Sequence, residues 1–223
     1  MTTFDYHVAI WVGPIGKSAE LIRQKVNRGA AKPVLVDVGG MNGRLSKAFV
    51  GFDYSVVDIQ PDPECAAVKY VVGSAECLPV ESETTDIVLT CSAIQYFDQE
   101  RFFSEAKRVL KSGGYLVVHE NGCCNPVIFV CRCVQRIIGL FNSDQWRYRN
   151  TIIKYYRPRQ IEGFVVTYAD TSCFLSPLSF VSEMVFGRSL ATGFLTAVDD
   201  YLLAALPIVK KLSWFNVVHY KKL

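Results

Sequence analysis

The chain has 223 residues, of which 50% are hydrophobic and 20% charged, and its formal net charge is +3. This length suits one domain with a sizeable core, and the apolar content excludes a disordered chain. The small net charge provides no global field for nucleic acid or an anionic membrane.

The two ends of the sequence show no membrane-spanning or secretory pattern. The long apolar stretch "SLATGFLTAVDDYLLAALPIVKKL" is interrupted by Asp199, Asp200 and Pro207, which makes it a poor transmembrane segment. The first residues carry no positively charged leader, so no secretory signal is expected. Peripheral contact with a membrane is left open.

The eight cysteines are scattered through the chain. The group from Cys123 to Cys133 lacks the paired spacing of a zinc site and has no histidine just after it. We therefore expect reduced thiols, no metal and a cytoplasmic location.

The predicted elements begin with a helical segment over residues 1–32 and a Val-rich strand, "PVLVDVG". The turn "GGMNG" follows, then a predicted helix, "NGRLSKAFVGF", and a second strand, "YSVVDIQ". A strand that ends in glycines and restarts as a helix can bring backbone N–H groups close to a ligand. The turn does not match G-x-G-x-x-G, which disfavours a dinucleotide.

Three further strands are predicted in "VKYVVGSA", "ETTDIVLTCSAI" and "GGYLVVHEN". Between the last two, "DQERFFSEAKRVLKSGG" has helical spacing and a glycine stop, its apolar residues being Phe102, Phe103, Ala106, Val109 and Leu110. Such alternation predicts an α/β fold with a mostly parallel, doubly wound sheet. Ligands of these sheets bind at the carboxyl ends of the strands.

The second half of the chain has a looser pattern. We predict a helix in "NPVIFVCRCVQRIIGLF", a polar and aromatic connector, a sixth strand in "FVVTYAD", an apolar helical stretch over 174–212 and a seventh strand in "WFNVVHYKK". The connector, "DQWRYRNTIIKYYRPRQ", either holds an anionic or sugar group or is a solvated lid. The prediction is one domain, 1–223, divided into an N-terminal helical segment (1–32), a cofactor-binding core (33–121), an acceptor-side lid and helical insertion (122–212) and the last strand (213–223).

The middle of the chain resembles the small-molecule class I S-adenosylmethionine-dependent methyltransferases, of the methyltransferase type 11-like group. That group has the pattern G-D-A-x-x-L-P-F, then S-F-D-x-V, then a helix ending in R-V-L-K-P-G-G. The matching residues here are Gly73, Ala75, Leu78, Pro79, Asp86, Val88, Glu105, Arg108, Val109, Leu110, Lys111, Gly113 and Gly114. The resemblance implies a Rossmann-like seven-stranded sheet, mostly parallel with an antiparallel last strand beside the sixth, and S-adenosyl-L-methionine as cofactor.

The resemblance also implies roles for residues at the strand ends. Asp37 would orient the cofactor's ammonium group, and the turn would let the backbone approach its methionine part through Gly39, Gly40, Met41 and Gly43. Asp58 would bind the ribose hydroxyls and Ile59 would pack on the adenine. The adenine edge would face Ser74, Ala75 and Glu76, and the sulfonium would lie beside Cys91 and Ser92.

Three residues depart from the family pattern. Met41 replaces the middle glycine of the turn, Ser74 replaces an Asp, and Ser112 replaces the Pro before the two glycines. None of them removes the ribose carboxylate, so the sequence still predicts cofactor binding.

The chemistry suggested is methyl transfer to a small-molecule or glycan acceptor, lipid-linked acceptors included, and at oxygen. A base would assist a hydroxyl acceptor, and the candidates at strand ends are His119, Tyr96 and Glu120. A position of His119 in the core or against a helix is at least as compatible with the sequence as a base role, and for Tyr96 the sequence favours a pocket-wall position over a catalytic one. A non-catalytic relative with the same fold is the alternative. A nucleic-acid enzyme is third, because the charge is modest and no N-P-P-Y-type motif occurs. Monomer or homodimer is left open.

Overall fold

The computed structural model describes residues 3–26, 31–60, 68–122, 124–127, 129, 130, 133, 156–178 and 192–223. The chain divides into two compact units. One draws on residues 1–11, 121–155 and 171–216, and the other on residues 12–120, 156–170 and 217–223. The predicted division of one domain into core, lid and last strand stays a prediction.

A seven-stranded sheet organises the fold. Its strands are β1 (Val34–Val38), β2 (Asp53–Asp58), β3 (Lys69–Val72), β4 (Thr85–Cys91), β5 (Leu110–Asn121), β6 (Phe164–Ser172) and β7 (Phe215–Lys222). The spatial order is β3-β2-β1-β4-β5-β7-β6, and β1 to β5 pair in parallel. The predicted mostly parallel sheet with seven strands is therefore confirmed.

The last strand is inserted between β5 and β6 and runs against both. The Leu223 amide donates to the Gly163 carbonyl just before β6, whereas the Trp214 amide donates to the Cys173 carbonyl just after it. On the other side, the Gly122 amide at the end of β5 donates to the Trp214 carbonyl at the start of β7. Each of these hydrogen bonds joins the beginning of one strand to the end of its neighbour. Strand β7 is therefore antiparallel to both β5 and β6, as the resemblance implied.

Helix α2 (Gln99–Val109) covers one face of the sheet. Asp98 caps it, its carboxylate accepting from the Arg101 amide at 3.2 Å. The buried side is that predicted from the spacing, namely Phe102, Phe103, Ala106 and Val109, and it packs with Val36, Val88, Leu116 and Val118 of the strands. The helix ends before the predicted glycine stop, because Leu110 is extended and opens β5.

Helix α1 (Thr3–Val26) contributes a buried stripe at helical spacing, Ile15, Ser18, Ala19 and Ile22. The Ser18 hydroxyl lies 2.8 Å from His119 Nε2 of β5 and 2.6 Å from His219 Nε2 of β7. One polar residue of α1 thus fastens the helix to two neighbouring strands.

Two ion pairs explain residues that carried the resemblance. Lys111 donates to both oxygens of Asp86 at 2.9 Å, and the Val34 amide donates to Asp86 at 2.8 Å, so this carboxylate ties the start of β1 to β5. Glu105 accepts from Arg108 and from the Leu78 amide at 2.7 Å. These residues hold the scaffold together rather than meeting a ligand.

The unit formed by residues 1–11, 121–155 and 171–216 contains helix α3 (Thr192–Ala205), followed by a 3₁₀ helix, Pro207–Leu212. Asp199 of α3 is buried and accepts from the Leu175 amide at 2.6 Å, from the Ser176 amide at 2.9 Å and from the Ser176 hydroxyl. The part of the predicted 174–212 helical stretch that the structure describes is therefore helical in 192–205 and anchored by one carboxylate.

The prediction of a helix after the glycine turn is wrong. Residues 44–47 form a single 3₁₀ turn, and bends and turns lead from there to β2. Gly51 adopts φ +93°, which ends any helix, and the rings of Phe49 and Phe52 pack edge to face 5.7 Å apart. Aromatic packing therefore replaces the helical turns that the sequence pattern suggested.

Among the described residues, none of the helices has the length and apolarity to cross a bilayer. Over the same residues there is no cluster of side chains suited to a metal ion. The five described cysteines, Cys77, Cys91, Cys124, Cys133 and Cys173, are free thiols. The predicted helix from Asn125 onward lies largely outside the described residues, but those described between 126 and 133 are helical.

Candidate active site

Three parallel strands bring their carboxyl ends together at the middle of the sheet. Asp37 of β1 pairs with Val56 of β2 on one side and with Leu89 of β4 on the other. The turns after β1, β2 and β4 therefore leave the same edge, where ligands of such sheets bind. All the residues discussed below lie in the unit formed by 12–120, 156–170 and 217–223.

The turn after β1 needs its glycines for space. A Cβ on Gly39 would lie 2.5 Å from the Ala93 Cβ, and one on Gly40 would lie 2.6 Å from Asp37 Oδ2. Gly39 also has φ +75°, the left-handed region that glycine adopts freely. The backbone of this turn is thereby packed directly against the ends of β1 and β4.

Met41 takes a glycine-like conformation in the same turn. Its φ is +48°, and its side chain is 45% exposed. The substitution for the family glycine therefore preserves the shape of the turn, at a backbone cost of about 1 kcal/mol. The side chain points to solvent and does not fill the turn.

Asp58 at the end of β2 connects the first two turns. Its Oδ2 accepts from the Met41 amide at 3.0 Å and its Oδ1 from the Ile59 amide at 2.7 Å. The Ile59 side chain beside it is 68% exposed. Both side chains are accessible to a ligand. The carboxylate can accept hydrogen bonds from the hydroxyls of a sugar, and the apolar side chain can pack on a flat base joined to that sugar.

Asp37 is the most perturbed acid at this edge. It is completely buried, and burial raises its pKa from 3.8 to about 7, against the opposing effect of the hydrogen bond from Tyr54. The Tyr54 hydroxyl donates to Oδ2, whereas the buried Oδ1 has no hydrogen-bond partner. A buried acceptor without a donor favours a cationic ligand.

Two further ionisable groups lie near Asp37. Burial lowers the pKa of Arg44, which interacts electrostatically with Asp37 and with Cys91. Burial also raises the pKa of the Cys91 thiol, and the negative charges of Asp37 and Glu120 add to that effect. Cys91 is thus a neutral thiol surrounded by charged groups.

The turn after β3 lies next to α2. The Ser74 hydroxyl accepts from the Glu76 amide at 3.1 Å, Ala75 is buried, and Glu76 Oε1 accepts from the Asp98 amide at 2.8 Å. One oxygen of Glu76 therefore has a structural partner. The predicted adenine-edge roles of Ser74, Ala75 and Glu76 stay predictions.

The segment after β4 is tied to β5. The Ser92 amide donates to the His119 carbonyl at 2.8 Å, and the buried Gln95 amide group donates to the Ser92 carbonyl at 3.1 Å. Tyr96 is 54% exposed, as a pocket-wall residue would be. The structure thus places Cys91, Ser92 and Tyr96 in sequence along the edge.

The two candidates on β5 face opposite sides of the sheet. The imidazole of His119 is fully buried against Ser18 of α1, and burial together with His219 lowers its pKa to about 3. Glu120 is also buried, and its charge acts on Cys91 and on Tyr156. The base role of His119 remains a prediction that these contacts argue against.

Sequence reasoning missed two residues, Tyr54 and Arg44. Tyr54 follows the alternation of β2 and lies on the same face as Val56, the partner of Asp37. A tyrosine at that register next to a strand-end acid was a usable signal. Arg44 gave none, since it lies in the segment predicted as a helix.

The connector's basic and aromatic residues lie mostly outside the described residues. Of those described, Arg159 pairs with Glu100 at 2.6 Å and stacks over Phe103, and Tyr156 shares a hydrogen bond with Tyr220. These two side chains stabilise the unit that contains α2.

Comparison with known proteins agrees with this geometry. A family profile described as a methyltransferase domain matches residues 36–118, which contain the carboxyl ends of β1 to β4. Residues 36–118 are therefore similar to the class I S-adenosylmethionine-dependent methyltransferase family. The matched range ends one residue before His119, so the second half of the chain lies outside the profile.

Curated relatives share only part of their length with the chain. An uncharacterized methyltransferase of Mycobacterium tuberculosis (strain ATCC 25618 / H37Rv) is 36% identical over 95 residues, which are 39% of this chain and 39% of that protein. The chain thus covers about two fifths of the length of such relatives.

Two solved structures resemble the fold over most of the chain. One is geranyl diphosphate C-methyltransferase from Streptomyces coelicolor A3(2), in complex with Mg²⁺, geranyl diphosphate and S-adenosyl-L-homocysteine. Its TM-score is 0.53 at 18% identity, covering 93% of this chain and 79% of that one. The other is the [4+2]-cyclase SpnF, with a TM-score of 0.57 at 14% identity, covering 93% and 80%. At these identities the likeness concerns the fold alone.

Proposed function

We propose that the chain transfers a methyl group from S-adenosylmethionine to a small-molecule or glycan acceptor, at oxygen. The observation that carries this proposal is the buried Asp37 carboxylate, whose Oδ1 has no hydrogen-bond partner. A sulfonium cofactor with an ammonium group is a cation that such an acceptor would bind.

The residues at the edge of the sheet fit this cofactor. Asp37 would accept from the ammonium group, the glycine turn would allow close backbone approach, and Asp58 would accept from the ribose hydroxyls. Ile59 would cover the adenine. When bound, the cofactor supplies an electrophilic methyl group for an in-line displacement. The chain's own part is alignment and exclusion of water, for which the closely packed turns after β1 and β4 are suited.

For the acceptor side we propose that Glu120 is the base and that Tyr96 lines the pocket, in preference to a base role for His119. Glu120 is close enough to Cys91 to act on the pKa of its thiol, so it lies near the end of β4 where the methyl group would be transferred. Tyr96 is exposed at the same edge. A proton released from an acceptor hydroxyl would pass to Glu120, with Tyr96 lining the pocket.

Calorimetry with S-adenosylhomocysteine tests the proposal. Asp58→Ala removes charged hydrogen bonds worth about 1.5–3 kcal/mol each, so affinity should fall about 100-fold. Asp53→Ala, which changes an exposed carboxylate on the same strand, should leave it unchanged. No binding by the original protein, or equal binding by Asp58→Ala, would contradict the proposal.

A second candidate is a binding or regulatory protein that keeps the fold without methyl transfer. Met41 favours it, because the family pattern has a glycine at this position and the left-handed backbone costs a methionine about 1 kcal/mol. The cyclase SpnF is a neighbour in fold whose name states another reaction. Release of S-adenosylhomocysteine with any member of an acceptor panel would exclude this candidate.

Nucleic-acid methylation is a weaker third candidate, because the net charge is only +3. A gel shift without retardation at low salt would remove it. A cytoplasmic location and a monomeric or homodimeric state remain predictions from the sequence.

A further inference from the structure

Helix α3 and the 3₁₀ helix after it carry a row of large apolar side chains in solvent. We call these residues the α3 surface, and they are Phe194, Tyr201, Leu206, Ile208 and Leu212. Phe194 is 69% exposed, Tyr201 72% and Ile208 66%. Five large exposed apolar side chains within 19 residues indicate a contact surface, because single exposed side chains are common but such groups are not.

The spacing along α3 puts the exposed residues on one side. Phe194 and Tyr201 are seven residues apart, which is about two helical turns, and the exposed Ala197 and Ala204 lie between them and beyond. The opposite side is buried through Asp199 and Leu203. The helix is therefore apolar both where it packs on its own unit and where it meets solvent.

Polar contacts within the same unit fix the α3 surface in place. Asp199 binds the backbone of Leu175 and Ser176, as described above. At the far end, Asn125 Nδ2 donates to the carbonyls of Leu212 and Phe174, both at 2.9 Å. The apolar side chains are thus presented on an anchored base and are not part of a loose segment.

The exposed charge within residues 192–212 is cationic. Lys210 and Lys211 are both exposed and directly follow the segment that contains Ile208. Of the two acids in residues 192–212, Asp199 is buried and engaged by three donors, which leaves Asp200 as the exposed one. Two lysines beside exposed aromatic and aliphatic side chains complement an anionic, apolar layer.

We propose that the α3 surface docks the protein on the headgroup region of an anionic lipid bilayer. Phenylalanine, tyrosine and isoleucine would enter the boundary between headgroups and acyl chains, while Lys210 and Lys211 would meet lipid phosphates. The 14-residue helix is about 21 Å long, too short to cross the hydrocarbon core but suited to lying in its interface. This inference is independent of methyl transfer, because docking requires no cofactor.

Vesicle sedimentation tests the proposal on the full chain without cofactor. We expect the protein to sediment with phosphatidylcholine vesicles that contain about a quarter phosphatidylglycerol, and to bind pure phosphatidylcholine vesicles at least tenfold more weakly. The double variant Lys210→Glu/Lys211→Glu should lower partitioning to the anionic vesicles by at least about 30-fold, because it removes two attractive charges and adds two repulsive ones. The triple variant Phe194→Ser/Tyr201→Ser/Ile208→Ser should lower it at least as much.

Matched controls separate the α3 surface from general charge and apolarity. Lys32→Glu/Lys69→Glu reverses two exposed lysines in the other unit, and Val50→Ser removes an exposed aliphatic side chain there. Both should partition like the original protein. Thermal unfolding of every variant establishes that it is folded before vesicle binding is compared.

Several results would overturn the proposal. One is absence of vesicle binding by the original protein, and another is equal loss in the control variants. A third is concentration-dependent dimerisation in analytical ultracentrifugation that the triple serine variant abolishes, without vesicle binding, since this would assign the α3 surface to a second copy of the chain. Vesicle binding that survives both α3 variants would also refute it.

Discussion

The buried Asp37 makes an unusual prediction about stability, because removing its charge should strengthen the fold. Its folded-state pKa of about 7 lies above the ordinary value of 3.8. The folded protein therefore holds this proton more tightly than the unfolded chain does. It follows that the contribution of Asp37 to stability is greatest at low pH and is lost as the pH rises through about 7.

The size of the effect follows from the two pKa values. One pKa unit corresponds to about 1.36 kcal/mol, so ionisation of Asp37 lowers the free energy of unfolding by about 3 kcal/mol between about pH 5 and about pH 8. Asp37→Asn keeps an acceptor for the Tyr54 hydroxyl and cannot ionise. Relative to the original protein, the variant should gain about 3 kcal/mol over that pH range.

Urea unfolding of both proteins at a series of pH values measures this difference. The buried His119 and His219, with pKa values lowered to about 3 and about 4, lose stability in acid, but they do so equally in both proteins. Asp53→Asn, an exposed carboxylate on β2, serves as the control and should show no such gain. A stability difference that stays flat from about pH 5 to about pH 8 would refute the assignment of Asp37 as a buried, ionising acid.

Two further predictions concern the turn after β1 and the hydrogen bonds of Ser18 in α1. Gly40→Ala should weaken S-adenosylhomocysteine binding at least tenfold in calorimetry, because the added Cβ would lie 2.6 Å from Asp37 Oδ2. Gly16→Ala, with nothing within 4 Å of its added Cβ, should bind normally, and equal binding by both variants would contradict the argument. Ser18→Ala should lower the free energy of unfolding by about 2 kcal/mol, since it removes two buried hydrogen bonds. Ser104→Ala, which changes an exposed serine, is the control. If Ser18→Ala lowers the free energy of unfolding no more than Ser104→Ala does, the Ser18 contacts do not stabilise the fold.

The sheet could be predicted from the sequence because its central strands contain apolar runs. Asp58 ends β2 and lies within the predicted second strand, and the buried side of α2 follows from the spacing of Phe102, Phe103 and Ala106. These signals are local, and parallel strands buried on both faces leave few other arrangements.

The failures have a common physical origin in side-chain contacts and burial, which the hydrophobic pattern of the sequence does not show. A strand buried on both faces does not reveal which side a residue faces, so the sequence could not show that His119 meets Ser18, which lies 101 residues earlier. The prediction of a helix after Gly43 failed because the sequence pattern does not show that Phe49 and Phe52 pack on each other there. Asp37 was found from its position at the strand end, but its raised pKa is caused by burial, which that position does not show.

The single hydroxyl between His119 and His219 makes the two imidazoles inequivalent. Ser18 has one hydroxyl hydrogen, so it can donate to the Nε2 atom of only one ring. The other ring must carry its own hydrogen on Nε2 and donate to the serine oxygen, which fixes its tautomer. Neither histidine can therefore change tautomer alone, and nitrogen NMR of the folded protein should show two rings in different forms that exchange together.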